Sequence, residues 1–399
     1  MSLRPTRAVG LLLNTGHAID HMFLLIFAAA VGSIAAEFGF ARWEDLMPYG
    51  VGAFALFGIG SLPAGRLGDL WGRRRLMLIF FFGMGVAALA VALTRNAWQL
   101  AAALTVLGAF AAIYHPVGIP MLVRGAPRPG LVIGVNGLAG NLGVALSALV
   151  TGYLVKYAGW RVAFAVPALL SLGCGFVFAR LAPPETLAPA RRDVTRTMLP
   201  RRELAHIFGV ITVASISGSL LFNFTTNGNG ELLRERFHGI VDDPALLGAL
   251  LALVYVAGAL AQVTVGLLLD RARVKVLYAA IVAMQIPLFL AAAAAQGWPF
   301  YALMVVFMIA VFGAIPFTDA LIVRYVDDTM RSRVSGMRLA VAFGVSSLAV
   351  WVLGPIVKVA GFHALLLLMA GTALVTLGVV MLLPRSGGAG LEEQTLAAD

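Results

Sequence analysis

Two stretches of sequence decide the fold: GRLGDLWGRRRLML at residues 65–78 and GLLLDRARVKVLYA at residues 266–279. Each is a short basic loop with one Asp, placed between two apolar runs. The same offset of about 200 residues aligns HPVGIPMLVR at 115–124 with IPFTDALIVR at 315–324, and LVKYAGWR at 154–161 with IVKVAGFH at 356–363. One offset that holds across three separate loops indicates that the chain consists of two copies of one unit.

The composition predicts that this unit lies in a membrane. Hydrophobic residues make up 60% of the 399 residues and charged residues only 12%, where soluble domains carry about 25% charged residues. A helix needs about 20 apolar residues to cross the hydrocarbon core, and runs of that length recur along the whole chain. We therefore predict an all-α integral membrane protein with twelve transmembrane helices in two six-helix, pseudo-symmetric bundles. The predicted spans are residues 8–35, 46–65, 76–94, 98–123, 131–155, 162–181, 205–229, 245–269, 276–295, 299–323, 335–357 and 362–383.

The spans divide the chain into four parts. We predict an N-terminal bundle at 1–181, a cytoplasmic linker at 182–204, a C-terminal bundle at 205–383 and a cytoplasmic tail at 384–399. Most Arg and Lys residues fall in the loops on the side of the two termini, so the positive-inside rule places both termini in the cytoplasm. The membrane itself is expected to be a bacterial cytoplasmic (inner) membrane. The first span is too long for the core of a cleavable signal peptide. The chain has 29 basic and 19 acidic residues, and we attribute this excess of positive charge to the loops that set the membrane orientation. Nucleic acid is therefore not an expected partner.

Several function classes are disfavoured. The single cysteine, Cys174, excludes an intrachain disulfide. Every Lys follows a Val, so the Gly-Lys step of a phosphate-binding loop is absent and the chain alone is no ATP-driven pump. A membrane enzyme with a metal held by paired His and Asp residues is conceivable, but ligands spread over one helical turn are weak support for it. We expect no enzymatic activity, no cofactor and no metal.

Polar residues in the apolar spans follow a pattern. They concentrate in the first, fourth, seventh and tenth spans, where an ionisable group must face a cavity or a partner. In the first span, His17, Asp20 and His21 are spaced three and four residues apart and share one side of a helix, near the middle of the membrane. We predict proton coupling at these three residues, because a carboxyl group beside imidazoles exchanges protons near neutral pH. The alternative is a satisfied polar network that ties the first helix to a neighbour.

The other polar spans supply candidate substrate contacts. His115 precedes Pro116, and Pro120 follows, so the fourth span is expected to kink; a structural role for His115 is the alternative. The run NFTTNGNGE at 223–231 reads as a broken or frayed helix end that lines a cavity or an outer gate, or simply as an early helix end. The predicted substrate-binding residues are His115, Asn223, Thr226, Asn227, Asp319 and Arg338.

Asp319 and Arg338 have two further interpretations. They form a salt-bridge gate at the cytoplasmic side, or each extends separately toward the membrane interface. The glycines of GVNGLAGNLG at 134–143 are expected to permit close helix packing and to carry no chemistry of their own.

The loop GRLGDLWGRRR, together with the two parallel six-helix repeats, resembles the major facilitator transporters. The resemblance covers nearly the whole chain and implies alternating access, in which two bundles rock about a central site. It also implies a conformational latch, in which an acidic side chain meets a neighbouring helix N-terminus; a solvated loop charge is the alternative. The residues assigned to this latch are Gly65, Asp69, Gly72, Arg73, Arg74 and, in the degraded second copy, Asp270.

Three segments also resemble the fosmidomycin-resistance type of bacterial efflux transporter: HAIDH at 17–21, YHP at 114–116 and GNLG at 140–143. The match departs from that family where Val117, Gly118 and Ile119 replace the polar residues that usually follow His-Pro. The resemblance implies a monomer in the lipid bilayer that exports a small organic solute, a drug or a metabolite, in exchange for protons. Proton-coupled uptake of a small organic anion and a non-transporting scaffold are the alternatives.

Overall fold

The structure is a computed structural model that describes residues 5–124, 126, 129–183, 201–269, 272–325 and 328–383. Three sets of sequence predictions fall outside the described residues: Asp270, most of the linker at 182–204, and the tail at 384–399. The side chains of Asp69, Asp319 and Arg338 are likewise outside the described part, although their backbone lies in helices. The predicted gate between Asp319 and Arg338 and the predicted latch carboxylates therefore stay predictions.

The described chain is all helix and contains no strand, as predicted. Two 3-10 turns, Trp43–Asp45 and Met47–Gly50, lie between the first two helices, and a π-helical turn at Tyr114–Gly118 lies between the fourth and fifth. The helices are α1 Arg7–Glu37, α2 Val51–Trp71, α3 Arg73–Ala92, α4 Ala97–Ala111, α5 Ile119–Val123, α6 Pro129–Ala158, α7 Trp160–Leu181, α8 Arg201–Phe237, α9 Pro244–Leu269, α10 Val274–Ala294, α11 Gly297–Tyr325 and α12 Asp328–Met381.

Eleven stretches of the described chain are long and apolar enough to cross a membrane. The last one, Ala340–Met381, has 42 residues, about twice the length that one crossing needs. Gly361 interrupts it with a φ of 73°, just as Gly159, with a φ of 85°, separates α6 from α7. The sequence repeat aligns these two glycines. Counting the two parts of α12 separately gives the twelve predicted spans.

The helices pack as two bundles that meet at two equivalent seams. In the first bundle α1 packs on α6 and α3 packs on α7; in the second, α8 and α10 pack on α12 and α9 packs on α11. Between the bundles, α6 packs on α9, and α12 packs on α2. The repeat aligns α6 with the first part of α12 and α2 with α9, so both seams pair the same two elements of the unit.

Small residues bring α6 and α9 close together. A Cβ atom added to Gly152 would lie 2.5 Å from the carbonyl oxygen of Pro244, and one added to Gly248 would lie 2.5 Å from that of Ala148. Such close backbone approach is how helices associate in lipid, where the hydrophobic effect does not drive them together. The glycines therefore set the spacing of this seam.

The loop after α2 anchors three elements of the first bundle. Gly72 has a φ of 91°, a conformation that L side chains rarely adopt, and so lets α3 begin directly after α2. Arg73 donates to the carbonyl oxygen of Pro120 at 3.2 Å. Arg74 donates to the carbonyl oxygens of Ala179 and Ala182, both at 2.6 Å. The Arg74 guanidinium thus caps the C-terminal end of α7, where the helix dipole favours a positive charge.

We expect Arg74→Ala to lower the thermal midpoint of unfolding in detergent, with a loss of roughly 2 kcal/mol, because two carbonyl groups lose a charged donor. Arg75→Ala is the matched control, since Arg75 is exposed in the same helical turn. Equal midpoints for the two variants would show that the contacts of Arg74 contribute nothing measurable.

One prediction about the helices is wrong. The run at 223–231 is not a broken helix end, because α8 continues without interruption to Phe237. The hydroxyl groups of Thr225 and Thr226 donate to the carbonyl oxygens of Leu221 and Phe222, at 2.8 and 2.7 Å. Asn227 donates in the same way to the carbonyl oxygen of Asn223 at 3.1 Å. The polar side chains bond back to their own helix, so the segment needs no break to satisfy them.

Candidate functional site

Two histidines of α1 face each other as their spacing predicts. The Nε2 atoms of His17 and His21 lie 3.1 Å apart, and the two rings meet edge-on with centroids 4.8 Å apart. His17 is buried and His21 is partly exposed. Asp20, which directly precedes His21 in α1, has no exposed surface.

The π-helical turn brings a third histidine to the same place. Pro116 cannot donate a backbone hydrogen bond, and the backbone from Tyr114 to Gly118 widens into a π turn, which is the predicted kink. His115 then lies with its ring centroid 5.0 Å from that of His17 and its Nε2 atom 3.8 Å from Oδ2 of Asp20. We call His17, Asp20, His21 and His115 the histidine cluster. The sequence assigned His115 to substrate and the other three to protons, but the four form one group.

Contacts from α6 and from the π turn fix the orientation of His17. Its ring stacks on the ring of Tyr114, with centroids 4.7 Å apart and planes 11° from parallel. Its Nδ1 atom lies 2.6 Å from the carbonyl oxygen of Asn136. Because a carbonyl oxygen only accepts, Nδ1 of His17 carries the hydrogen. In the neutral ring, Nε2 then presents its lone pair to His21.

A hydrogen-bond network supports the stacked tyrosine. The Tyr114 hydroxyl donates to the carbonyl oxygen of Leu13 at 2.8 Å and accepts from the Asn136 amide at 2.7 Å. The same amide lies 2.9 Å from Oδ1 of Asn14. The positioning roles of Tyr114, Asn14 and Asn136 were not predicted from the sequence. Their positions in the sequence could have indicated these roles. Tyr114 precedes His115, Asn14 lies one helical turn before His17, and Asn136 lies in the glycine-rich segment at 134–143.

Two glycines of α6 make room for the cluster. A Cβ atom added to Gly140 would lie 2.7 Å from the His17 ring, and one added to Gly143 would lie 2.1 Å from the backbone carbonyl oxygen of Ala18. Real Cβ atoms essentially never come this close to another atom. Of the four glycines at 134–143, Gly140 and Gly143 thus serve close packing, as predicted, and hold the backbone of α1 at the cluster, whereas a Cβ atom added to Gly134 or Gly137 meets no atom of the described residues within 4 Å.

We expect Gly143→Ala to destabilise the first bundle, because the added methyl group meets backbone atoms that cannot rotate away; overpacking costs about 1–3 kcal/mol or more. The measurement is the yield of monodisperse protein after detergent extraction. Gly137→Ala on the same helix is the control, since a Cβ atom there meets no atom of the described residues within 4 Å. A normal yield for Gly143→Ala would contradict the packing.

Asp20 is the least compensated group of the cluster. Neither of its carboxyl oxygens makes a hydrogen bond with the described residues, and the His115 ring is the basic group that faces it. An isolated buried carboxylate is very costly. Such a carboxyl group is stable in two ways: it carries a proton, or it faces a cation. The site can therefore hold either a proton on Asp20 or a cation beside its carboxylate.

Two polar residues of α8, Thr226 and Asn227, face the gap between the bundles. They line a space there with Ser147 of α6 and Tyr255 of α9, and Leu25, one turn after His21, lines the same space. Its volume is about 10 Å³, enough for one water molecule. Asn223 donates to Ser346 of α12 at 2.8 Å, within the second bundle. An organic solute would fit here only after the bundles separate.

Two ion pairs join the bundles at the end away from the termini. Lys156, at the end of α6, donates to Oδ2 of Asp243, which directly precedes α9. Lys358, before the break in α12, lies 2.5 Å from Oδ1 of Asp45 in the 3-10 turn after α1. The hydrogen bond from Lys156 lowers the pKa of the Asp243 carboxyl group below its usual value, so that pair stays charged at neutral pH. The repeat aligns the two lysines, but their acidic partners were not predicted from the sequence.

A family model described as the Major Facilitator Superfamily matches residues 13–240 of the chain. An efflux pump, terJ, of Aspergillus terreus is 28% identical over 219 residues, which cover 52% of this chain and 41% of the pump. The gallate transporter of Pseudomonas putida is 24% identical over 276 residues, which cover 60% of each chain. The chain thus spans less than two thirds of either relative. Both are named for transport rather than for enzymatic activity, as the sequence leads us to expect.

Solved structures share the fold. A bacterial homologue of the human lysosomal transporter Spinster, in an inward-facing and occupied conformation, superposes with a TM-score of 0.76 at 13% identity, covering 94% of this chain and 96% of that one. At this identity the likeness concerns the fold alone.

Proposed function

The chain belongs to the major facilitator superfamily, and from that premise we propose that it is a secondary active transporter. It moves a small organic solute across the bacterial cytoplasmic membrane by alternating access and exports it in exchange for protons. It works as a monomer with both termini in the cytoplasm. The observation that carries the proposal is Asp20: a fully buried carboxyl group, facing His115, whose oxygens make no hydrogen bond with the described residues.

Proton exchange follows from the charge balance of the cluster. With Asp20 protonated, the buried site is neutral and stable. Loss of that proton leaves a carboxylate that needs a positive charge close by, which a protonated His115 or a cationic group of the solute supplies. Proton and solute therefore compete to compensate the same charge, and such competition is what couples their movements.

The bundle seams support the alternating-access part of the proposal. The ion pairs of Lys156 and Lys358 with Asp243 and Asp45 hold the bundles together at one end, and the space beside Thr226 and Asn227 is too small for a solute. Separation of the bundles at that end would break both pairs and widen the space between α1 and α8. Two weak, partly exposed pairs suit such a movement, because each contributes little net energy and forms and breaks readily.

Export is favoured over uptake by the efflux pump among the relatives. Uptake of a small organic anion is the second candidate, and two observations favour it: one relative is named a gallate transporter, and three imidazoles converge in the cluster, which when protonated would attract an anion. A non-transporting scaffold is disfavoured, because a scaffold has no use for an uncompensated carboxyl group at mid-membrane.

Proteoliposomes with an imposed pH gradient test the proposal. Purified protein is reconstituted, and a panel of labelled drugs and organic acids is screened for counterflow without a gradient and for accumulation with the interior acidic. We expect at least one solute to accumulate only with the gradient, and the accumulation to collapse on addition of a protonophore. Counterflow that is insensitive to pH would refute proton coupling, and the absence of counterflow for every solute, beside a transporter that works in the same liposomes, would refute transport by this chain.

A further inference from the structure

We propose that the histidine cluster binds one divalent transition-metal ion of the Zn²⁺ class. One ring nitrogen from each of His17, His21 and His115 lies within 4.8 Å of the other two. The ligands come from two separate elements, α1 and the π turn. The sequence alone offered only the three groups of one helical turn, and for that reason no metal was expected there.

Asp20 completes the ligand set. Its Oδ2 atom lies 3.8 Å from Nε2 of His115, and both its oxygens are buried without a hydrogen bond to the described residues. Three imidazoles and one carboxylate are ligands that Zn²⁺ accepts in tetrahedral sites. The carboxylate also supplies the negative charge that stabilises a divalent cation in a buried place.

The surroundings of His17 match those of a metal ligand. Histidines that bind metals usually donate their second ring N–H to a carbonyl or carboxylate oxygen, which fixes the tautomer and the ring orientation. His17 donates from Nδ1 to the carbonyl oxygen of Asn136 and stacks on Tyr114. Its Nε2 atom is thereby presented to the centre of the cluster with a lone pair.

Two of the ligand nitrogens already have the spacing of a closed site. Zn–N bonds of about 2.0–2.1 Å in a tetrahedron place neighbouring nitrogens about 3.3 Å apart, and the Nε2 atoms of His17 and His21 are already 3.1 Å apart. Rotation of the His21 and His115 rings would bring the remaining ligand atoms in. His21 and His115 are each partly exposed, unlike Asp20, which has no exposed surface.

Metal and protons would compete for these groups, because a ligand nitrogen must be free of its proton. The inference rests on the proposed function only in that both use the side chains of the histidine cluster. Metal binding can be measured without any transport. Occupation by a metal would block proton exchange, so a transition metal should inhibit proton-driven transport at the cluster itself.

The test uses the purified chain, prepared through an affinity tag without histidine and stripped with EDTA. Co²⁺ is titrated in, and the visible absorption bands of tetrahedral Co²⁺ are followed; Zn²⁺ is then added to displace it. We expect one ion per chain and binding that weakens as the pH falls. His21→Gln and His115→Gln should each weaken binding at least tenfold. His238→Gln, at an exposed histidine outside the cluster, should bind as the parent protein does.

Three results would overturn the inference: no tetrahedral Co²⁺ spectrum in the parent protein, unchanged affinity in both cluster variants, or loss of binding in the His238 variant. Each variant is first checked for monodisperse elution, and Asp20→Asn replaces any that aggregates, with the same expected weakening. Proton-driven transport measured in EDTA separates the two proposals. Transport without metal binding refutes only the metal site, and metal binding without transport refutes only the proposed function.

Discussion

Asp20→Asn is expected to reduce proton-driven solute movement at least a hundredfold, while counterflow without a pH gradient survives. Asn has nearly the shape of a protonated Asp but does not ionise, so position 20 stays neutral at every pH and no proton can be exchanged there. The fold should tolerate the change, because Asp20 makes no hydrogen bond with the described residues that Asn would lose. Replacing a buried charge by a neutral group of equal size is often neutral or stabilising.

The measurement is the initial rate in proteoliposomes with and without the gradient, with the thermal midpoint as a check on folding. Asp242→Asn is the matched control, because Asp242 is exposed in a loop and should leave both rates unchanged. Undiminished gradient-driven transport in Asp20→Asn would move the coupling site away from the cluster, even if the variant bound solute less well.

Treatment with a water-soluble carbodiimide is expected to abolish transport by joining the bundles covalently. The reagent activates a carboxylate, and a contacting lysine amine then displaces it to form an amide, releasing the urea. The chain has only three lysines, and two of them contact carboxylates across the seams: Lys156 with Asp243, and Lys358 with Asp45. These side chains are each between about one third and one half exposed, so the reagent reaches them.

The third lysine provides an internal control for this reaction. Lys275 donates to the carbonyl oxygens of Met381 and Leu383, groups that carbodiimide does not activate. With a protease site placed in the linker at 182–204, the cleaved halves should stay joined on a denaturing gel. The double variant Lys156→Met, Lys358→Met should separate into halves and keep its transport after treatment. Full transport by a protein whose halves are cross-linked would show that the bundles need not separate at this end.

Much of the fold was predictable because it is repeated. Apolar run length fixes a membrane helix, and an offset shared by three loops fixes the two-bundle plan without any tertiary knowledge. The failure at 223–231 has a physical cause. Composition cannot distinguish a Thr or Asn that breaks a helix from one that bonds back to the preceding turn, as Thr225, Thr226 and Asn227 do.

The candidate site was predictable only along one helix. Spacing placed His17 beside His21, since residues four apart share a helix face. The approach of His115 depends on a π turn, and the orientation of His17 depends on a backbone carbonyl of α6; neither follows from side-chain spacing. The ion pairs between the bundles could not be predicted for the same reason. The repeat aligns Lys156 with Lys358, and each of them pairs with an Asp in the other copy, Asp243 or Asp45, in the loop after the first helix of that copy.

The glycine turns at Gly159 and Gly361 also bear on how the protein is made. A single residue separates α6 from α7, and one glycine divides the two parts of α12. With no loop between them, the second helix of each pair cannot wait in water while the first enters the bilayer. We therefore expect each pair to insert as one hairpin, late in the synthesis of its own half. The lysine that pairs with the other bundle, Lys156 or Lys358, lies just before the turn. It would therefore enter the membrane together with the last hairpin of its half.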